Sequence, residues 1–373
     1  MPICPVAPFC FVVSASLLLY LRSKKVRNPK KLENEQVTRN TFGNDFEVTI
    51  SSPGKVLVAG GYLILEKPNV GISVGTTSRF YTTIKYLSNK GSETSSNFLA
   101  ITVDSPQFQI VYNYQFDLTT FQLNRLSKDG NEFIEGCISD TLLFIIESMG
   151  LPQFLQFANE INRRNQSIGI KLRAHNDFYS QIKLLLKLKK PLTTKSLLDI
   201  PSFSVPGTIF SRWFCFYPSI LIIFFLIEEN VAKTGLGSSA ALTTSLIAAI
   251  LNFFNIVTLN PGLNEKDASL VHNLSQLVHC KAQGKIGSGF DVATAIYGTI
   301  LYARFAQDGI EPCFKQNQQD PSSLGKLIYS IVNNKSIWNQ KIIPFHLPNH
   351  LHLILGDVCG GSSSSIMVSS LEL

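Results

Sequence analysis

Apolar and polar residues alternate from Phe46 through Val48 and Ile50 into the run KVLVA (55–59), and again over 72–86 after Pro68 and Asn69. A two-residue period of this kind predicts early strands with turns between them. Residues 101–103 and 108–112 add short strand candidates. The spacing becomes helical over 132–149, where Gly150 closes the pattern. Leucines and lysines interleave over 183–190, as on the solvated face of a helix. Residues 238–256 are apolar nearly all round, which predicts a buried helix. Leu270, Val271, Leu274, Leu277 and Val278 then share one face of a second helix, ended by Gly284. A short helix over 292–297 and strands over 299–305 and 351–355 complete the pattern. Strands come before helices instead of alternating regularly with them, so an α+β fold is expected in place of a doubly wound parallel sheet.

Two segments are greasier than this pattern needs, and together they explain a mean hydropathy of +0.15 in a chain with only 16% charged residues. Residues 1–21 carry no charge and precede a basic stretch that opens with Arg22, Lys24 and Lys25. That length matches a membrane span of about 20 residues, with the rest of the chain left cytoplasmic. Pro2, Pro5 and Pro8 spoil the first turns, so a tail or mis-assigned start is favoured over membrane contact through 1–21. The second run, WFCFYPSILIIFFLI (213–227), is too short to span at 15 residues and is interrupted by Pro218. A buried strand or core helix is its ordinary reading.

A length of 373 residues allows two domains or one large one. Thirty-three Lys and Arg against 26 Asp and Glu give a net charge of +7 spread along the chain. No nucleic-acid partner is therefore indicated, while small anionic ligands fit. Seven cysteines lie far apart without a Cys-x-x-Cys pair, so neither a zinc site nor a disulfide framework is signalled and a reducing compartment is the default.

Three constellations carry candidate chemistry. The first is KTGLGSSAA (233–241), with glycines immediately before the long buried helix. Gly235 and Gly237 let the backbone approach a ligand, and the first N–H groups of the helix are unsatisfied donors at the positive end of the dipole. Phosphate binds naturally in such a place, and the hydroxyls of Ser238 and Ser239 would either cap the helix or reach a Mg²⁺ held between phosphates. An ordinary capped helix is the plain alternative. The second is GKIGSGFD (284–291), which opens another helix. Asp291 there is either a simple N-cap or a carboxylate that takes or orients the proton of an attacking oxygen. The third is SPGK (52–55), where Lys55 opens a buried strand and either stabilises a transferring phosphoryl group or snorkels to solvent.

In this order the three motifs resemble the series of the GHMP kinases, the superfamily of galactokinase, homoserine kinase and mevalonate kinase. The longer strings GKVLVAGGYLILEKPN (54–69), NDFYSQ (176–181), VAKTGLGSSAAL (231–242), HCKAQGKIGSGFDVATAIYGTILYARF (279–305) and GDVCGGSSSSIMV (356–368) resemble the eukaryotic phosphomevalonate kinase family within it. The resemblance runs from about Phe46 to the C-terminus. It implies an N-terminal domain of the ribosomal-protein-S5-domain-2-like type, followed by a ferredoxin-like C-terminal domain.

The boundaries expected from it are an apolar segment and basic linker over 1–45, the N-terminal domain over 46–345 with an apolar insert at about 204–227, and the beginning of the C-terminal domain over 346–373. The resemblance also implies ATP-dependent phosphorylation of 5-phosphomevalonate to 5-diphosphomevalonate in the mevalonate route to isoprenoids and sterols, with ATP and Mg²⁺ as cofactors. Lys233, Gly235, Leu236, Gly237, Ser238 and Ser239 would cradle the ATP phosphates, with Ser239 on Mg²⁺. Asp291 and Lys55 would be catalytic, and Ser288, Gly289, Gly361 and Ser362 would contact substrate.

Three features depart from the family pattern. Where mevalonate kinase has a metal-binding glutamate about eleven residues before the loop aspartate, this chain has Cys280, which leaves Gln283 or water as candidates for the second metal ligand. Relatives continue well past GDV-x-GGS into their second domain, whereas this sequence ends at Leu373. The run at 204–227 stands where relatives have a more polar approach to the loop, and translated non-coding sequence is the favoured account of it. A non-catalytic nucleotide-binding fragment and a membrane-associated protein are the competing readings. The expected location is cytoplasmic, with a peroxisomal one implied by family, although Leu371, Glu372 and Leu373 do not make a Ser-Lys-Leu address.

Overall fold

A computed structural model describes residues 46–89, 97–204, 232–259, 264–314 and 320–348, with Leu353, Leu355 and Gly356. The segments 1–21 and 205–231, most of the strand expected at 351–355, and Gly361 and Ser362 lie outside the described residues.

The alternating stretches form strands. In chain order these are β1 (Glu47–Ala59), β2 (Gly71–Ser88), β3 (Phe98–Ser105), β4 (Ile110–Asp117), β5 (Leu123–Arg125), β6 (Gln166–Ala174), β7 (Ile300–Ala303) and β8 (Lys341–Pro344). They make one sheet in the order β5-β4-β3-β6-β2-β7-β8, with β1 paired to β2. Every pairing is antiparallel except β3 with β6. The helices are α1 (Glu132–Met149), α2 (Leu151–Arg163), α3 (Ile182–Lys187), α4 (Thr194–Leu198), α5 (Ser238–Phe253), α6 (Glu265–Gln283), α7 (Phe290–Tyr297) and α8 (Pro321–Val332). The mixed sheet and its helices agree with the α+β expectation.

Local chemistry sets the helix ends. The side chain of Asn131 accepts from the amides of Phe133 and Ile134 to start α1, and Gly150, at φ 87°, donates to Ile146 to stop it. Asn264 caps α6 in the same way, and Gly284 in the left-handed region ends it. Helix α5 is buried at thirteen of its sixteen residues, as its all-round apolarity requires. It lies against β1 and β2, with α1 and α6 packed on it and α8 on both of those. Leu246, Ile247 and Leu251 are fully buried, and truncating any of them to Ala costs about 2–5 kcal/mol. Lys281 of α6 pairs with the buried Asp140 of α1 at 2.6 Å, which pins the two helices together. The basic stretch 183–190 holds only the short α3, with Leu185 buried and Leu186 and Leu188 exposed. Among the described residues, no helix is long and apolar enough to cross a membrane.

His272, on α6, is fully buried beside Asn273, Gln340, Tyr297 and Trp338. Burial pushes its imidazole down from 6.5 to about 4, and a hydrogen bond with Asn273 opposes the shift. The folded state therefore resists a proton that the unfolded chain accepts. The stability gained is complete above the unfolded value and is lost as the pH falls toward the folded one. Between pH 7 and pH 5 the loss is about 2 kcal/mol. Urea unfolding at the two pH values should show His272→Asn losing less stability on acidification than wild type, by about that amount; equal losses would contradict the assignment.

Candidate active site

The site is built where two glycine loops meet the first strand. β1 pairs with β2 in regular register up to Pro53 and Arg79, then resumes at Lys55 and Gly75, so β2 bulges over 76–78 and Gly54 falls at the irregularity. A Cβ at Gly54 would sit 2.8 Å from Thr76 Oγ1 and 2.9 Å from both the Leu236 carbonyl oxygen and Phe178 Cε1. That missing side chain lets the 233–237 loop lie directly on the strand. The Lys55 amide donates to the Leu236 carbonyl at 2.8 Å, and the Lys55 ammonium reaches the Gly235 carbonyl at 3.2 Å. Between these anchors the lysine stem crosses Gly237, where a Cβ would meet Lys55 Cγ and Cε at 2.8 Å.

The lysine is half-buried, with its stem laid across the loop. Its ammonium stands 5.3 Å from the centre of the Phe290 ring, and burial holds its pKa below the ordinary lysine range while Asp291 opposes that shift. A half-buried cation held by a carbonyl, an aromatic face and a nearby carboxylate is suited to anionic ligands.

Gly237, in the left-handed conformation, is the N-cap of α5, and no side chain caps the helix. Of the two readings offered for the Ser238 and Ser239 hydroxyls, the capping one is therefore set aside. A residue in that conformation already turns the chain into the helix, and the Ser239 hydroxyl goes to His279 Nε2 at 3.2 Å. No side chain caps the amides of the first turn, and a Cβ at Gly235 would meet nothing within 4 Å. Uncapped amides, the positive helix end, open space beside Gly235 and a nearby lysine together fit a polyphosphate. A hydroxyl at Ser239 fits Mg²⁺ accompanying it. Lys233 pairs with Tyr179 in an isolated bridge, so its backbone belongs to the wall of the loop.

The second loop places Asp291. Gly289 is the left-handed N-cap of α7, and Asp291 stands in the first turn with its Oδ1 accepting from the Val292 amide at 2.9 Å. The N-cap reading of Asp291 is corrected accordingly. Its side chain keeps 21% exposure, and its Oδ2 lies 3.9 Å from His279 Nδ1. Gly289 also permits a close approach, since a Cβ there would sit 2.7 Å from the Tyr302 hydroxyl and 2.8 Å from Gln276 Oε1. Ser288 offers its carbonyl to the Tyr302 hydroxyl at 3.0 Å. Cys280 is buried, accepts from Gln276 and is pushed up to about 11 by burial, so it stays a thiol. Gln283 reaches His279 at 3.3 Å.

Several supporting residues carry no motif of their own. The buried Arg304 donates to the carbonyls of Leu65, Ile286 and Gly287 at 2.8–2.9 Å, bracing the second loop against the turn after β1. Burial lowers its pKa, although a guanidinium stays charged. Asp177, in the NDFYSQ string, accepts from Ser78 through its carboxylate and from the Thr234 hydroxyl through its carbonyl, both at 2.5 Å. That string therefore clamps the glycine loop. Alternation in ILYARF marks Tyr302 and Arg304 as same-face residues of a strand and its extension, which was the available signal for them. His279, on α6, also sits within the site, beside Ser239 and Asp291.

Residues 219–299 match the family model of the GHMP kinases N terminal domain. This match and the mixed sheet with its helices point to the same class: residues 219–299 are similar to the N-terminal domain of the GHMP kinases. Within that class its relatives are phosphomevalonate kinases. It is 34% identical over 342 residues to the peroxisomal phosphomevalonate kinase of Arabidopsis thaliana, over 87% of this chain and 63% of that protein. It is 31% identical over 339 residues to a phosphomevalonate kinase of Gibberella zeae, over 87% of this chain and 66% of that protein. The chain thus spans a little under two thirds of each relative. A solved structure of Streptococcus pneumoniae phosphomevalonate kinase with phosphomevalonate and AMPPNP is similar at 15% identity and a TM-score of 0.40, over 79% of this chain and 58% of that one.

The loop geometry makes a test of its own. Gly235→Ala carries the cost of left-handed backbone alone, about 1–2 kcal/mol. Gly237→Ala adds displacement of the Lys55 stem, for a total of about 3 kcal/mol or more. Unfolding of the two variants should rank them in that order, and equal losses would contradict the packing of Lys55 across Gly237.

Proposed function

We propose that this chain binds ATP with Mg²⁺ and transfers its γ-phosphoryl group to 5-phosphomevalonate, giving 5-diphosphomevalonate and ADP. The observation that carries the reading is the convergence of the 235–239 loop, Lys55 and Asp291 at one place. The names of the relatives support the choice of acceptor. A phosphate oxygen of the acceptor forms a bond to the γ-phosphorus while the bond from that phosphorus to the β,γ-bridging oxygen breaks. Both reactants are anionic, so the protein's work is to hold them in line and to neutralise charge.

In this reading the amides at the start of α5 and the backbone of 235–237 take the ATP phosphates, and Ser239 is the protein ligand of Mg²⁺. Bound Mg²⁺ would supply charge neutralisation across the phosphates. Lys55 is held to stabilise charge on the transferring group, and its lowered pKa reflects the desolvation that strengthens that interaction. Asp291 orients the acceptor phosphate. That phosphate is already ionised at neutral pH, so orientation outweighs proton removal. Ser288 and Gly289 line the acceptor side of the second loop, and Gly361 and Ser362 retain the substrate role that their GDV-x-GGS string implies. The name of the Arabidopsis relative supports a peroxisomal location ahead of the cytoplasmic default.

Purified chain with ATP, Mg²⁺ and 5-phosphomevalonate should release ADP in proportion to acceptor consumed. Asp291→Ala should abolish turnover with ATP affinity within about threefold of wild type, a factor worth about 0.7 kcal/mol. ATP binding without acceptor-dependent ADP release would favour the non-catalytic reading, and near-normal turnover in Asp291→Ala would remove that residue from the mechanism.

A further inference from the structure

The imidazole of His279 is a buried polar group in the site to which the loop motifs give no role. It lies on α6 with 2% side-chain exposure, and the ring of Phe133 packs beside it at 5.8 Å. Three polar groups surround it. Ser239 Oγ is 3.2 Å and the Gln283 amide nitrogen 3.3 Å from Nε2, and Asp291 Oδ2 is 3.9 Å from Nδ1. The Asp291 carboxylate faces Nδ1 and favours the tautomer with its proton there, in which Nε2 is an acceptor. In that tautomer Ser239 is the donor in its contact with Nε2, which leaves its oxygen lone pairs for another partner.

We propose that His279 is a positioning residue: it draws the Ser239 hydrogen inward so that the oxygen is presented to Mg²⁺, and its Nδ1–H faces Asp291, linking the two loops. This inference rests on the nucleotide reading of the site and adds the group that orients its metal ligand. The same pattern, an outer residue fixing the orientation of an inner ligand, governs metal sites generally, and its loss lowers metal affinity by about 10–100-fold.

The test is ADP affinity of the full chain by titration calorimetry, with Mg²⁺ and with EDTA, the ratio being the metal increment. His279→Leu should keep the EDTA affinity and lose the increment by about tenfold or more. In His279→Gln the side-chain oxygen can stand near the Nε2 position and accept from Ser239, so the increment should return to within about threefold of wild type, while His279→Asn, too short to reach Ser239, should not restore it. Retention of the full increment in His279→Leu, or equal increments in the Gln and Asn variants, would overturn the proposal. The Gln and Asn comparison decides the matter even where the Leu variant fails to fold. Wild type that binds no ADP in EDTA or Mg²⁺ would overturn the nucleotide reading and the proposal together. Wild type that binds ADP without regard to Mg²⁺ would overturn the proposal alone.

Discussion

The site depends on one contact, the approach of the 233–237 loop to β1 across Gly54 and Gly237. At each of these positions a single methyl group would collide with a neighbour under 3 Å away, on the loop side with the Lys55 stem and on the strand side with the Leu236 carbonyl. Because both are absent, one lysine can bond the loop through its amide at one end and its ammonium at the other. A half-buried charge thereby has its partners already in place.

The remaining interactions hold that contact in position. Helix α5 is fixed by burial on nearly every side, so the amides at its start cannot drift from β1. Asp177 ties the loop from behind through Ser78 and Thr234, and Arg304 ties the second glycine loop to the turn after β1. Asp291 and Ser239 then stand on opposite sides of the His279 ring. The glycines of the two loops also admit neighbouring side chains: the Lys55 stem lies against Gly237 and the Tyr302 hydroxyl against Gly289.

Much of this was legible in the sequence. Two-residue and helical periods located β1, β2, β3, α1, α5, α6 and α7, because each buries one face or all faces and is ended by glycine or a polar cap. The loops around Gly235 and Gly289 were visible as glycines before apolar helices. β6 escaped because it is a central strand, buried on both faces over 166–170, so its residues do not alternate. Helix α8 escaped because Pro321 and Gly325 look like breakers; Gly325 in fact lets the helix lie close to Leu143 of α1. His279, Asp177 and Arg304 were hidden for another reason. Their roles are set by contacts between residues 40 to more than 200 positions apart, which no local pattern carries.

The central claim is that the start of α5, docked on β1 through Lys55, is a preformed phosphate cradle. Residue-resolved amide hydrogen exchange with and without AMPPNP and Mg²⁺ tests it most directly. The account predicts that exchange slows most at the amides of 235–240, with a smaller effect at Lys55 and residues 289–292. Unchanged exchange at 235–240 in a protein that demonstrably binds the nucleotide would contradict it.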